Sequence, residues 1–142
     1  MNGTHDNVFI DTNIFVYAKL ENSDEVKHLT AKKFLSNLTG HITISTQVLN
    51  ECYAVFAKHN ISDPIIQETI AFILDEVIVE TITLKTIHIA WVVRQKYHYS
   101  YYDSLIIASA LDAGCKVLYS EDLQHNQTIE GKLKIVNPFL QD

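Results

Sequence analysis

With 142 residues, 47% of them hydrophobic, and only four Gly and two Pro, the chain reads as one domain over 1–142 with its own core rather than as a disordered segment. Eleven Lys and Arg stand against 17 Asp and Glu, a net charge of −6. That balance argues against a broadly basic nucleic-acid surface, yet leaves room for a substrate recruited through bound divalent cations. The polar start Met1–Asn7 lacks the basic-then-apolar layout of a secretory signal, and no apolar run reaches the roughly 20 residues of a membrane helix. Cys52 and Cys115 have no metal-ligand spacing, so a cytoplasmic, reducing setting suits them.

In chain order, Val8-Phe9-Ile10 has the length of a buried strand and stops at Asp11. Ile14, Phe15 and Ala18 then follow helical spacing, so strand turns into helix at Asp11-Thr12-Asn13. After a polar break, Glu21-Asn22-Ser23, the stretch Asp24 to Leu38 predicts a helix with Val26, Leu29, Ala31, Phe34, Leu35 and Leu38 as its apolar side. Gly40 suits its C-terminal end. His41 to Ser45 alternates as a second strand, and Ser45 or Thr46 can cap a helix running to about His59. Asp63-Pro64 opens another helix, with Ile65, Ile66, Ile70, Ile73 and Leu74 as its core face.

Val77 to Thr81 is a β-branched third strand, and Thr83 can cap a long helix from Leu84 to about His98. Ser100 starts a further helix, Tyr101 to Ala113, closed by Gly114. Lys116 to Tyr119 is a fourth strand, and Lys134-Ile135-Val136 a short fifth before Asn137-Pro138. Strands alternating with helices make the class α/β, with a central, mostly parallel sheet of about five strands and helices on both faces.

Ligands of open α/β sheets sit beyond the carboxyl ends of the strands, which is where Asp11 falls. A helix N-cap would also explain Asp11. Glu51 lies one helix further on, with Val48, Ala54 and Val55 on its face and no Lys or Arg at those positions to pair with it. Asp103 completes a capping-box pattern with Ser100, but shares its face with Ile106, Ile107 and Ala110. Ser120-Glu121-Asp122 leaves the fourth strand directly, and first and fourth strands are often neighbours in doubly wound sheets. Carboxylates gathered in one cleft must be protonated or neutralised, and Mg²⁺ or Mn²⁺ is the natural counter-charge for all-oxygen ligands. One or two such ions can activate water for phosphodiester cleavage.

The segments Phe9-Ile10-Asp11-Thr12-Asn13, Ser45 to Glu51, Tyr102-Asp103-Ser104-Leu105-Ile106, Tyr119 to Leu123 and Asn137-Pro138-Phe139, in this order and spacing, resemble the PIN domain family, and within it the VapC-like toxins of type II toxin–antitoxin pairs. The resemblance covers nearly the whole chain. It implies an α/β/α sandwich and a Mg²⁺- or Mn²⁺-dependent endoribonuclease acting on single-stranded regions of RNA, with a cognate antitoxin protein and a homodimeric state. The family's acidic quartet maps onto Asp11, Glu51, Asp103 and Asp122. Asp11 and Asp103 would be the principal metal ligands, and Thr12, Asn13, Ser120 and Glu121 would orient them. Which of Glu121 and Asp122 points inward stays open, although the register of Ser120-x-Asp122 favours Asp122. Asn126 stands where relatives often carry Gly; Asn tolerates the left-handed backbone.

Tyr97, Tyr99, Tyr101 and Tyr102 surround Asp103, and either stack on unpaired bases or pack in a core or dimer interface. Arg94, the single arginine, and Lys116 are candidate phosphate contacts. The seven His show no clustering and none is assigned a catalytic part. Competing readings are a PIN nuclease that is not a toxin, a Mg²⁺-binding phospho-acceptor module of the receiver type, and a non-catalytic RNA-binding domain. The receiver reading expects adjacent acids after the first strand and an Asp after the third, where this chain has Thr12 and Thr81.

Overall fold

The apolar run that ends at Asp11 forms the inner strand of the sheet. In the computed structural model, which describes residues 6–21 and 24–140, β1 (Asn7–Ile10) is buried on both faces, with Phe9 and Ile10 fully out of solvent. Met1–His5 of the polar start and Asn22-Ser23 of the expected break lie outside the described residues. The chain continues through α1 (Thr12–Lys19), α2 (Glu25–Asn37), β2 (His41–Ser45), α3 (Thr46–Lys58), α4 (Asp63–Leu74), β3 (Ile78–Glu80), α5 (Leu84–Tyr97), α6 (Tyr101–Asp112), β4 (Val117–Tyr119), β5 (Thr128–Ile129) and β6 (Leu133–Val136). Among the described residues no helix is long and apolar enough to cross a membrane.

The strand order is β3-β2-β1-β4-β6-β5, with every pairing parallel except β5 against β6, and helices cover both sides. The chain builds outward from β1 to β3, then returns to lay β4 on the other side of β1. That reversal makes β1/β4 the switch point of the sheet, where a crevice opens at the strand ends. Register fixes what meets there. Ile10 pairs with Tyr119, so Asp11 and Ser120 leave the sheet side by side. The Asp11 N–H still donates to Tyr119 O at 3.0 Å, carrying the ladder one residue past the strand.

Several expectations change on folding. The sheet has six strands, because Thr128–Ile129 adds a two-residue antiparallel edge too short to show any alternation. Gly40 does not cap α2, whose C-cap is Leu38; a Cβ on Gly40 would stand 2.6 Å from Asp6 O, so it is close approach of two backbones that requires glycine there. Of the apolar side expected on α2, Ala31 is buried and Phe34, Leu35 and Leu38 pack against the core, whereas Val26 and Leu29 are exposed and His28 is buried. His28 is held there by its Nδ1, 2.7 Å from Tyr17 O. On α4 only Ile66 is fully buried, and Ile65 and Leu74 are exposed. Asn126 takes the left-handed backbone, φ 69°, as its side chain permits.

The core is one large cluster centred on Phe9, Ile10, Ile14, Ile44, Phe56, Ile107 and Leu118. A smaller one joins α5 and α6 through Ala90, Leu105 and Ala108. From Ser104 to Ala110 every residue of α6 is buried, and the helix rests against β2 and β4. Its first turn therefore projects from a rigid base at the carboxyl edge of the sheet.

Candidate active site

Asp11 is the N-cap of α1 and lies buried at the carboxyl end of β1. Its Oδ1 accepts the Thr12 N–H at 2.7 Å, and its other oxygen accepts from Ser120 Oγ at 2.8 Å. The residue is only 7% exposed. Burial disfavours its charge more than these two donors restore it, and the neighbouring charges of Glu51 and Asp122 push further the same way. The carboxyl is raised to about 6. A cap needs none of this: capping carboxylates are ordinarily exposed, and placing one here among like charges is a liability unless a cation joins them.

Glu51 comes from the second turn of α3, which starts directly after β2, the strand beside β1. Thr12 Oγ1 donates to its Oε1 at 2.6 Å, and Gln47 Nε2 donates to Oε2 at 3.0 Å. Thr12 thus ties two of the acids, donating its N–H to Asp11 and its hydroxyl to Glu51. Gln47 is the residue that reading the sequence missed. It sits one turn before Glu51 at i−4, a spacing at which side chains meet on a helix face, and it also donates to Tyr102 O at 3.2 Å. That second bond links α3 to the first turn of α6. Gln47 Oε1 is buried with no hydrogen-bond partner.

Asp103 lies in that first turn and is partly buried. Of the expected capping box only the Ser100 half forms: the Asp103 N–H donates to Ser100 Oγ at 3.2 Å, which occupies the backbone of Asp103 and leaves its carboxylate for other work. Asp122 stands at the exposed rim, where Asn13 Nδ2 donates to its Oδ2 at 2.8 Å and its N–H donates to Ser120 Oγ at 3.2 Å. Partial burial and then the charges of Glu121, Asp103 and Glu51 raise its carboxyl, while Lys27 pulls it down. Asp11, Glu51, Asp103 and Asp122 are therefore linked by pairwise electrostatic coupling at one edge of the sheet. Glu121 faces elsewhere: its oxygens accept from Tyr17 OH at 2.9 Å and from Lys27 Nζ.

The donor set is all carboxylate oxygen with neutral hydroxyl and amide supports, which is the chemistry of a Mg²⁺ or Mn²⁺ site. As placed, no three such side chains among the described residues stand close enough to grip one ion. Glu51 is turned onto Thr12 and Gln47, and Asp122 onto Asn13. The donors suit a hard cation, and the unrelieved charge on Asp11 is where such a cation would act.

Around this cluster the tyrosines divide. Tyr97 OH donates to Glu130 Oε2 at 2.8 Å and accepts the Glu130 N–H at 2.9 Å, while Tyr99 OH accepts the Gln124 N–H at 3.1 Å; both brace the segment after β4. Tyr101 packs on the smaller core, and Tyr102 is exposed. Arg94 donates to Tyr99 O at 2.7 Å, closing the end of α5. A groove of about 940 Å³ runs between α1, α2 and α4, lined by Phe15, Leu35, Ile65 and Phe72 among others, and contains none of the four acids.

Among solved structures, a toxin–antitoxin complex from Klebsiella pneumoniae is similar with 20% identity and a TM-score of 0.69, over 92% of this chain and 97% of that one. The Mycobacterium tuberculosis protein VapC20, described as a sarcin–ricin loop cleaving toxin, is 23% identical with a TM-score of 0.64, over 81% and 91%. VapBC2 from Rickettsia felis, bound to a DNA fragment from its promoter, is 20% identical with a TM-score of 0.59, over 82% and 88%. At such identities the likeness is one of fold. No curated protein matches the sequence significantly. The PIN domain family model matches residues 8–130, from the first strand past all four acids, and the chain belongs to the PIN domain family.

Proposed function

We propose that the protein is a divalent-metal-dependent endoribonuclease cleaving phosphodiester bonds in single-stranded regions of RNA, and that it is the toxin of a toxin–antitoxin pair. The observation that carries this reading is Asp11, buried at the switch point of the sheet with its carboxyl raised to about 6 and the charges of Glu51 and Asp122 acting on it. A net-acidic protein with one unneutralised carboxylate cluster is suited to bringing phosphate in through Mg²⁺ or Mn²⁺. Membership of the PIN domain family supports the same reaction, and the fold it shares with VapC20 and with toxin–antitoxin complexes supports the toxin role.

Asp11 and Asp103 would hold the ion, with Glu51 and Asp122 as its further ligands. When bound, the ion supplies activation of a water and stabilisation of the leaving oxygen. The chain does the rest. Ser120 and the Thr12 N–H keep Asp11 in one rotamer. Thr12 and Gln47 together aim Glu51, and Asn13 steadies Asp122. The Asp103 backbone is fixed by Ser100, which leaves its carboxylate, whose charge acts on Asp122, for a cation. The cytoplasm is the expected setting, the homodimer the expected state, and a small antitoxin the expected partner.

The test is cleavage of an RNA with exposed loops by the purified protein in Mn²⁺ or Mg²⁺. Asp11→Asn should abolish cleavage with the fold intact, since Asn caps helices as well as Asp. Full activity of that variant, or of the native protein in excess chelator, would refute the assignment. The toxin role is tested separately: growth arrest on expression, relieved by co-expressing the small DNA-binding protein expected from a neighbouring reading frame.

A further inference from the structure

Glu121 adjoins Asp122 in sequence, yet both of its oxygens are taken. Tyr17 OH donates to Oε1 at 2.9 Å from α1, and Lys27 Nζ donates to Oε2 from α2. Lys27 is itself held: its ammonium lies 5.1 Å from the centroid of the Tyr17 ring and 5.8 Å from that of Phe139, and these two rings meet edge to face at 5.3 Å. The Glu121 side chain is 17% exposed and that of Lys27 35%, so the pair is partly withdrawn from water and less screened than an ordinary surface pair. The chain bends at 121–123, and while Glu121 is held by Tyr17 and Lys27, Asp122 takes a different partner, Asn13 Nδ2 at 2.8 Å. Ser120 Oγ bridges Asp11 and the Asp122 N–H. Both members of the pair act on Asp122, in opposite directions.

We infer that Lys27, seated by Tyr17 and Phe139, is a positioning residue that offsets the charge of Glu121 and turns it out of the cleft, so that the 120–122 segment offers the ion site Asp122 alone. The idea rests on the acids being an ion site, as proposed above. It makes a prediction of opposite signs. With Lys27 present its positive charge offsets part of the negative charge that Glu121 exerts on Asp122, the stronger of the two there. Removing the cation leaves an extra negative charge beside Asp122 and tightens divalent-ion binding; removing the anion leaves a positive one and weakens it. Removing both brings binding back close to the starting state. A purely structural contact would weaken binding in either single variant.

The experiment is Mn²⁺ binding to the full chain without RNA, read as free Mn²⁺ by electron paramagnetic resonance. Lys27→Met should bind Mn²⁺ about three- to tenfold more tightly and Glu121→Gln more weakly by a similar factor, as expected for a unit charge several ångströms from a divalent ion in a wet cleft. The double variant Lys27→Met/Glu121→Gln, and the conservative Lys27→Arg, should both lie close to the native protein. Thermal unfolding of each variant checks the fold, and the double variant and Lys27→Arg carry the test if a single variant fails to fold. If the native chain binds no Mn²⁺, or binds it regardless of Asp11, the ion-site reading fails. If it binds Mn²⁺ through Asp11 but both single variants weaken binding, or neither changes it, the ion site stands and the role given to Lys27 is wrong.

Discussion

Replacing Asp11 by Asn should make the metal-free protein more stable at neutral pH, even as it removes cleavage. An unfolded Asp ionises near 3.9 and Asp11 in the folded chain near 6, a difference of about 2 units or roughly 3 kcal/mol. Because the folded-state value is the higher one, the native state binds the proton more tightly. Stability from this group is intact below about pH 4 and is lost as pH rises towards 6. Above that, ionised Asp11 costs the full amount. Asn removes the charge and keeps the geometry: its carbonyl can accept the Thr12 N–H and its amide can donate to Ser120 Oγ, where the carboxylate now accepts 2.7 and 2.8 Å bonds. Urea unfolding in chelator from pH 4 to 8 measures this. The stability gap between Asp11→Asn and native protein should open from near zero at pH 4 to about 3 kcal/mol above pH 6.5, on the order of 10 °C in Tm for a chain this size. Saturating Mn²⁺ should close the gap by stabilising only the native protein, by about 3 kcal/mol at a hundred times Kd. A gap independent of pH, or one that opens in the other direction, would refute the reasoning.

Gln47→Leu removes the amide that aims Glu51 and ties it to Tyr102 O, and should lower cleavage by about 10- to 100-fold with weaker Mn²⁺ binding, measured by single-turnover kinetics and metal titration. Ser120→Ala takes a donor from Asp11 Oδ2, so the pH window over which metal-free stability falls should move upward; an unmoved window in the same urea series would count against that bond. Gly40→Ala forces a Cβ to within 2.6 Å of Asp6 O and should cost about 1–3 kcal/mol, seen as a lower urea midpoint with an unchanged slope.

Much of the site could be read in advance because its geometry follows from chain order. Asp11 and Ser120 end neighbouring parallel strands, and the shift from strand to helix after Ile10 already marks the crevice. Glu51 stood out by the absence of a basic partner on its face, and the structure shows that its partners are Thr12 and Gln47. The i−4 spacing of Gln47 was visible, but only folding reveals that its other bond reaches Tyr102. The choice between Glu121 and Asp122 depended on residues about a hundred positions away, Tyr17 and Lys27, which no local pattern announces. On α2 the first turns, Val26 and Leu29, were misjudged for a related reason, while Ala31, Phe34, Leu35 and Leu38 do meet the core. Apolar Val26 and Leu29 compete with His28 for the core, and a single partly buried bond to Tyr17 O accompanies the choice of His28. The edge strand Thr128–Ile129 is two residues long and exists only because Leu133 and Lys134 lie opposite it.

Anomalous scattering from crystals of the full chain soaked in Mn²⁺ addresses the central claim most directly. The account requires a manganese peak at the carboxyl edge of β1 and β4, liganded by Asp11 and Asp103, with Glu51 or Asp122 released from its present bond to Thr12 or Asn13. Crystals that accept Mn²⁺ only at other surfaces, with all four acids holding their metal-free partners, would contradict it.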